Sequence, residues 1–98
     1  MKIKLDYNGW TNWETWLVRL WMTNDEGSYY FWRELVEQHE GKASELGEIM
    51  EDQWEAQIPE GLRGTVYGDL IMQGSKEVNW EEIAVSWTDD IKEASQCK

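Results

Sequence analysis

The sequence predicts an all-α fold: a compact single domain, residues 1–98, of four to five short amphipathic helices around a tryptophan-rich core. Three observations predict it. Apolar residues recur at helical spacing in four separate stretches. Residues that cap helices (Thr, Asn, Ser) stand ahead of those stretches. Eight tryptophans occur in 98 residues, and each large aromatic can bury about 150–250 Å². That payload lets a chain of one-domain length build a core without staples, and no linker divides it.

The opening "KIKLDY" alternates polar and apolar residues and suits a short extended segment. "TNWETW" then starts the first helix. Thr11 and Glu14 stand at capping-box spacing, and Asn12 is the alternative cap. Trp13, Trp16, Leu17, Leu20 and Trp21 recur at i, i+3, i+4, i+7 and i+8, which is one helical stripe and the expected core face. "TNDEGS" is a turn in which Asn24 or Ser28 caps the second helix, and the short loop makes the pair an antiparallel hairpin. That helix places Trp32, Leu35, Val36 and His39 on one face, with Gly41 beyond its end.

A third helix is expected from Ala43 to Gln57, with Leu46, Ile49, Met50 and Trp54 as its stripe and Pro59 as its stop. Glu60–Gly64 reads as loop. Val66, Leu70 and Ile71 fit a short helix ended by Gly74, although Gly68 inside it costs about 1 kcal/mol relative to alanine. The last helix is marked by Asn79 and Glu82 at capping-box spacing and by Trp80, Ile83, Ala84, Trp87 and Ile91 in a helical series. Two helices thus open on a cap, a tryptophan and a glutamate ("TNWE", "NWEE"), an echo too short to be a repeat.

On these helices Trp13, Trp16, Trp21, Trp32 and Trp87 fall on core stripes. Trp54 and Trp80 join comparable ones, and Trp10 sits where a hydrophobic staple would pack. A nucleic-acid stacking platform also needs a positive groove, and none is encoded. An aromatic cage for a cation remains the other reading of the indoles.

Catalytic and metal signatures are missing. His39 is the sole histidine, so "HEGKA" lacks the second histidine of a zinc-binding helix. Aligning Gly27 to the glycine of a calcium loop puts Met22 and Arg33 at ligand positions, and that reading fails. Neither a nucleophile elbow nor a phosphate-binding glycine loop occurs. The expectation is a non-enzyme without cofactor or bound metal. Cys97 has no partner in the chain, which excludes a disulfide framework and fits a reducing compartment. The N-terminus has no apolar run of signal-peptide length, and no stretch approaches the roughly 18 apolar residues that span a bilayer. A soluble protein of the cytoplasm, with no membrane partner, is the corresponding expectation.

Charge is the second extreme of this composition. Twenty carboxylates oppose nine Lys and Arg, for a net charge of −11. Direct phosphate binding needs the opposite sign, so nucleic acid is not the expected ligand and a basic protein surface is. Glu34, Glu37, Glu40, Glu45, Glu48, Glu51, Asp52, Glu55 and Glu60 are opposed within their stretch only by Lys42. Glu45, Glu48, Asp52 and Glu55 follow a 3, 4, 3 spacing opposite the apolar stripe, about 4.5–6 Å apart along the axis. That resembles the charge spacing along a nucleic-acid strand. Like charges at i,i+4 cost a few tenths of a kcal/mol each, which a basic partner would offset; an ordinary solvated face is the plain alternative. The expected partner-binding residues are Glu37, Glu40, Glu45, Glu48, Glu51, Asp52 and Glu55. A second cluster, Glu77, Glu81, Glu82, Asp89, Asp90 and Glu93, extends that surface if the last helix lies beside the third.

The stretch "NGWTNWETWLVRLWMTNDEGSYYFW" resembles the start of a family of small, acidic phage, plasmid and prokaryotic proteins with a W-T-N-x-E-T-W opening, an apolar helix, N-D-E-G and a second helix. "VNWEEIAVSW" is similar to that family's last helix. The motif falls on Trp10, Thr11, Asn12, Glu14, Thr15, Trp16, Asn24, Asp25, Glu26 and Gly27. The resemblance implies a helical domain carried by mobile elements and supplies no catalytic residue. By analogy with small acidic mobile-element proteins, it suggests an inhibitor of a host defence complex, anti-CRISPR or anti-restriction, that occupies the complex's basic nucleic-acid site. The alternative is a non-catalytic adaptor that binds a protein helix or peptide through an aromatic patch.

Overall fold

The structure, a computed structural model, describes residues 9–39 and 41–96. The expected extended segment at "KIKLDY" and Cys97 lie outside them. Five α-helices follow in order: α1 (Trp13–Met22), α2 (Glu26–Gln38), α3 (Ala43–Ala56), α4 (Val66–Glu77) and α5 (Trp80–Gln96). A single 3-10 turn, Glu60–Leu62, stands where a plain loop was expected. The described residues contain no strand, and none of their helices is long and apolar enough to cross a membrane.

The most extensive pairing is between α3 and α5. Trp54 near the end of α3 meets Trp80 at the start of α5, with ring centroids 6.0 Å apart. Leu46 near the start of α3 shares a hollow with Thr88 and Ile91, so the two helices run antiparallel. Gly47 permits the contact: a Cβ there would come within 3.0 Å of the Trp80–Glu81 backbone. Around this pair lies one hydrophobic cluster, built from Trp32, Leu35 and Val36 of α2, Leu46 and Met50 of α3, and Trp80, Ile83, Ala84 and Trp87 of α5. These are the stripes that the spacing predicts for α2, α3 and α5, except that His39 is exposed at the end of α2.

Helix α1 reverses its expected face. Its buried residues are Thr15, Val18 and Met22, while Trp13, Leu20 and Trp21 are 42%, 42% and 56% exposed. Two polar attachments and one indole decide the orientation. The buried Thr15 hydroxyl donates to Asn12 Oδ1 (2.6 Å) and accepts from the Asn79 amide (2.8 Å). Arg19 reaches Asp90 (2.6 Å) and Ser86 (3.2 Å) on α5 and lies 4.5 Å over the Trp87 ring. Burial draws the Arg19 pKa below its ordinary value, and the Asp90 carboxylate offsets part of that. Trp87 donates its indole N–H to Met22 Sδ (3.3 Å). Turning the tryptophan stripe inward would break all three, leaving buried polar groups unpaired at a cost of about 1–3 kcal/mol each.

The caps also differ in detail from the expected boxes. Asn12, not Thr11, caps α1 by accepting from the Thr15 amide (2.9 Å), and its side-chain amide donates to the Glu77 carbonyl (2.8 Å). Asn79 caps α5 by accepting from the Glu82 amide (3.1 Å). The returning halves are exchanged between the two helices. Glu82 accepts from the Thr11 amide (3.2 Å), and the Asn79 amide goes to Thr15. The echo between "TNWE" and "NWEE" is thus a physical joint that locks the starts of α1 and α5 together. Asp25, rather than Asn24 or Ser28, caps α2 through the Ser28 amide (3.0 Å).

Helix α4 runs through Gly74 to Glu77 instead of ending there. Thr65 caps it, accepting from the Gly68 amide (3.2 Å) and donating to the Leu62 carbonyl (2.6 Å). Gly68 is required by that junction: a Cβ would lie 2.2 Å from the Leu62 carbonyl oxygen.

Candidate functional site

Two surfaces stand out, one charged and one apolar. On α3, Glu45, Glu48 and Asp52 are exposed, and Glu51 and Glu55 are half-buried at the margin. The row lies opposite Leu46, Gly47 and Met50, as its spacing predicts. The structure brings Glu48, Glu51, Asp52 and Glu55 together. Burial first, then the carboxylates of Glu55, Asp52 and Glu48, hold the Glu51 carboxyl above its ordinary pKa. Among the described residues no ion pair neutralises these side chains. Arg63 pairs with Glu60 (3.8 Å) and donates to the Glu55 backbone carbonyl (3.0 Å).

Other members of the expected acidic surface are placed elsewhere. Glu37 is on α2 and pairs with Arg33 (3.2 Å). Glu40 lies outside the described residues. Although α5 does lie beside α3, Glu82 and Asp90 turn toward α1, engaged by the Thr11 amide and by Arg19. They do not lengthen the α3 row. The two backbones meet where Gly47 of α3 lies against Trp80 and Glu81 of α5.

The apolar surface is a groove of about 180 Å³ between α1 and α4. Trp13, Leu17 and Val18 form one wall, Ile71, Gly74, Ser75 and Val78 the other, and Trp54 closes it from α3. Glu14 is its acidic lining residue. Tyr67, Ile71, Gly74 and Val78 stand at i, i+4, i+7 and i+11, so the 65%-exposed Tyr67 ring continues the α4 wall outward. Val66 and Leu70 add exposed apolar area on the outer side of α4, as Leu20 and Trp21 do on α1. Large apolar side chains exposed beside an apolar groove make this region a candidate binding face.

The hollow between α3 and α5, of about 320 Å³, is lined by Val36, Glu37, His39, Leu46, Thr88, Ile91 and Lys92. It collects an imidazole, a carboxylate and an ammonium at the end of α2. Among the described residues no group of three His, Cys, Asp or Glu side chains is arranged to hold a metal ion.

Residues 3–96 match a family described as "Family of unknown function (DUF7249)". The chain belongs to this family. Comparisons with curated proteins and with solved structures give no match. In this DUF7249 member several residues of the opening motif have separate tasks. Thr11, Asn12 and Thr15 build the joint to α5, and Asp25 caps α2. Glu14 lines the groove beside Trp13, which stands at the motif's variable position. Glu14 stands where a capping box would use it, yet among the described residues its side chain makes no hydrogen bond. Sequence reasoning missed Ile71, Gly74 and Tyr67 as parts of a site. The available signal was the pair of glycines within one helix, which needs two separate explanations.

Proposed function

We propose that this DUF7249 member is a non-catalytic, acidic protein-binding domain whose partner presents a basic, nucleic-acid-binding surface. It acts as an inhibitor by occupying that surface. The observation that carries the reading is the carboxylate row Glu45, Glu48, Glu51, Asp52 and Glu55, which no ion pair among the described residues neutralises, on a chain of net charge −11. Attraction of this kind speeds encounter and is screened beyond about 8–10 Å at physiological salt. A CRISPR effector or a restriction enzyme in the cytoplasm of a host cell is the target class suggested by the resemblance to mobile-element proteins.

The test is DNA cleavage by a purified effector or restriction enzyme, titrated with the wild-type chain and with a Glu48→Lys, Asp52→Lys, Glu55→Lys variant. Inhibition by the wild type that weakens with salt and is lost in the variant, with helical circular dichroism unchanged, supports the reading. Full inhibition by the variant removes α3 as the site.

The adaptor reading has its own support in the exposed Trp13, Trp21, Tyr67 and Leu70. Binding through that surface would be insensitive to salt and sensitive to loss of an exposed indole.

A further inference from the structure

Gly74 is the one feature of the groove that the fold does not explain. It sits in the interior of α4, where glycine weakens a helix relative to alanine. Its backbone is not among those with positive φ. No heavy atom lies within 4 Å of the place its Cβ would take. In the same helix Gly68 is jammed against the Leu62 carbonyl. One glycine is required by packing; the other keeps open the wall of an apolar groove.

We propose that the α1/α4 groove seats apolar side chains of a lysine- or arginine-rich amphipathic helix supplied by a partner protein, with Gly74 leaving room for the main anchor. The inference rests on the protein-binding part of the proposed function and not on inhibition of a nuclease. The α4 wall from Ile71 to Val78 is about 10 Å long at 1.5 Å per residue, about two turns, which leaves room for anchors one turn apart on the incoming helix. Charge selects the occupant. Glu14 lines the groove, and the chain carries −11 overall, so a second copy of the same chain is repelled while a cationic helix is drawn in. The apolar anchors supply affinity and the basic flanks supply encounter rate and specificity.

The probe is a synthetic, dye-labelled helix of about five turns with leucines on one face and lysines on the other, read by fluorescence anisotropy. A scrambled peptide of the same composition controls for charge alone. The wild-type chain should bind the amphipathic peptide at least about tenfold more tightly than the scrambled one. Gly74→Leu should fill the groove and weaken binding by about tenfold or more. Gly74→Ala should weaken it a few-fold while raising Tm by about 4 °C, which separates a blocked groove from a damaged fold. Equal binding of scrambled and amphipathic peptides, or unchanged binding by Gly74→Leu, overturns the proposal. The nuclease assay is independent of this result. Peptide binding without nuclease inhibition keeps the groove and removes the inhibitor, and inhibition without peptide binding does the reverse.

Discussion

Helix α1 has apolar residues on two opposite sides. The inner side, Thr15, Val18 and Met22 with Arg19 at its edge, is the less hydrophobic of the two, and it faces the core. The outer side, Trp13, Leu17, Leu20 and Trp21, carries most of the helix's apolar area and meets the groove or solvent. Helix α4 repeats the contrast in its glycines, with Gly68 packed tight and Gly74 open. In α1 the buried side is chosen by fixed attachments. The hydroxyl that receives the Asn79 amide, the guanidinium over Trp87 and the thioether under its indole N–H each have a single place to go. Apolar area is non-directional, so it yields to them, and the side left outside becomes available for recognition.

The comparison breaks most visibly at Met22. Met22→Ala opens a cavity in the core and removes the acceptor of the Trp87 indole, at a cost of about 2–5 kcal/mol. A fall in Tm of roughly 15 °C in a thermal melt is expected. Gly68→Ala comes next, because the new methyl must displace the Leu62 backbone. A loss of about 1–3 kcal/mol is expected, against a gain for Gly74→Ala measured in the same urea titration. Two glycines in one helix should therefore respond with opposite signs. Thr15→Val keeps the shape of the inner side but leaves the Asn79 amide without its acceptor, for about 1–3 kcal/mol. Faster hydrogen exchange at that amide would accompany the loss.

The smallest effect belongs to the acidic row. Glu51 has a raised folded-state pKa, so its charged form is disfavoured in the fold. That penalty is fully present at neutral pH and is relieved as pH falls through the raised pKa toward the unfolded value. Glu51→Gln should stabilise the chain by about 0.2–0.5 kcal/mol at neutral pH, and the gain should fade on acidification. A melt series across pH reads both.

The stripes of α2, α3 and α5 were legible in the sequence because one side of each carries most of its aliphatic residues, and periodicity then favours a single orientation. The acidic row on α3 was legible for the same reason, as the complement of its stripe. On α1 periodicity identifies the helix but selects the wrong side, because Trp13, Leu20 and Trp21 carry more apolar surface than Thr15, Val18 and Met22. The deciding contacts lie more than sixty residues away at Asn79, Ser86, Trp87 and Asp90. Local spacing carries no information about them. The capping residues were visible in kind, but the exchange of their returning halves between α1 and α5 depends on tertiary placement. Spacing alone makes Gly74 a helix end, and only the Val78 boundary and the empty space around it give it another role.

The central claim is that the indole side of α1 is surface and its other side is core. Trp21 and Met22 are neighbours in sequence, yet one faces solvent at 56% exposure and the other is fully buried at 0%. Thermal unfolding of Trp21→Ala beside Met22→Ala tests this most directly. Truncating a core tryptophan ordinarily costs about 3–5 kcal/mol, whereas a surface change stays within about 0.5 kcal/mol. The account predicts a melt for Trp21→Ala within about 4 °C of wild type and a large fall for Met22→Ala. A Trp21→Ala variant as unstable as Met22→Ala would contradict it.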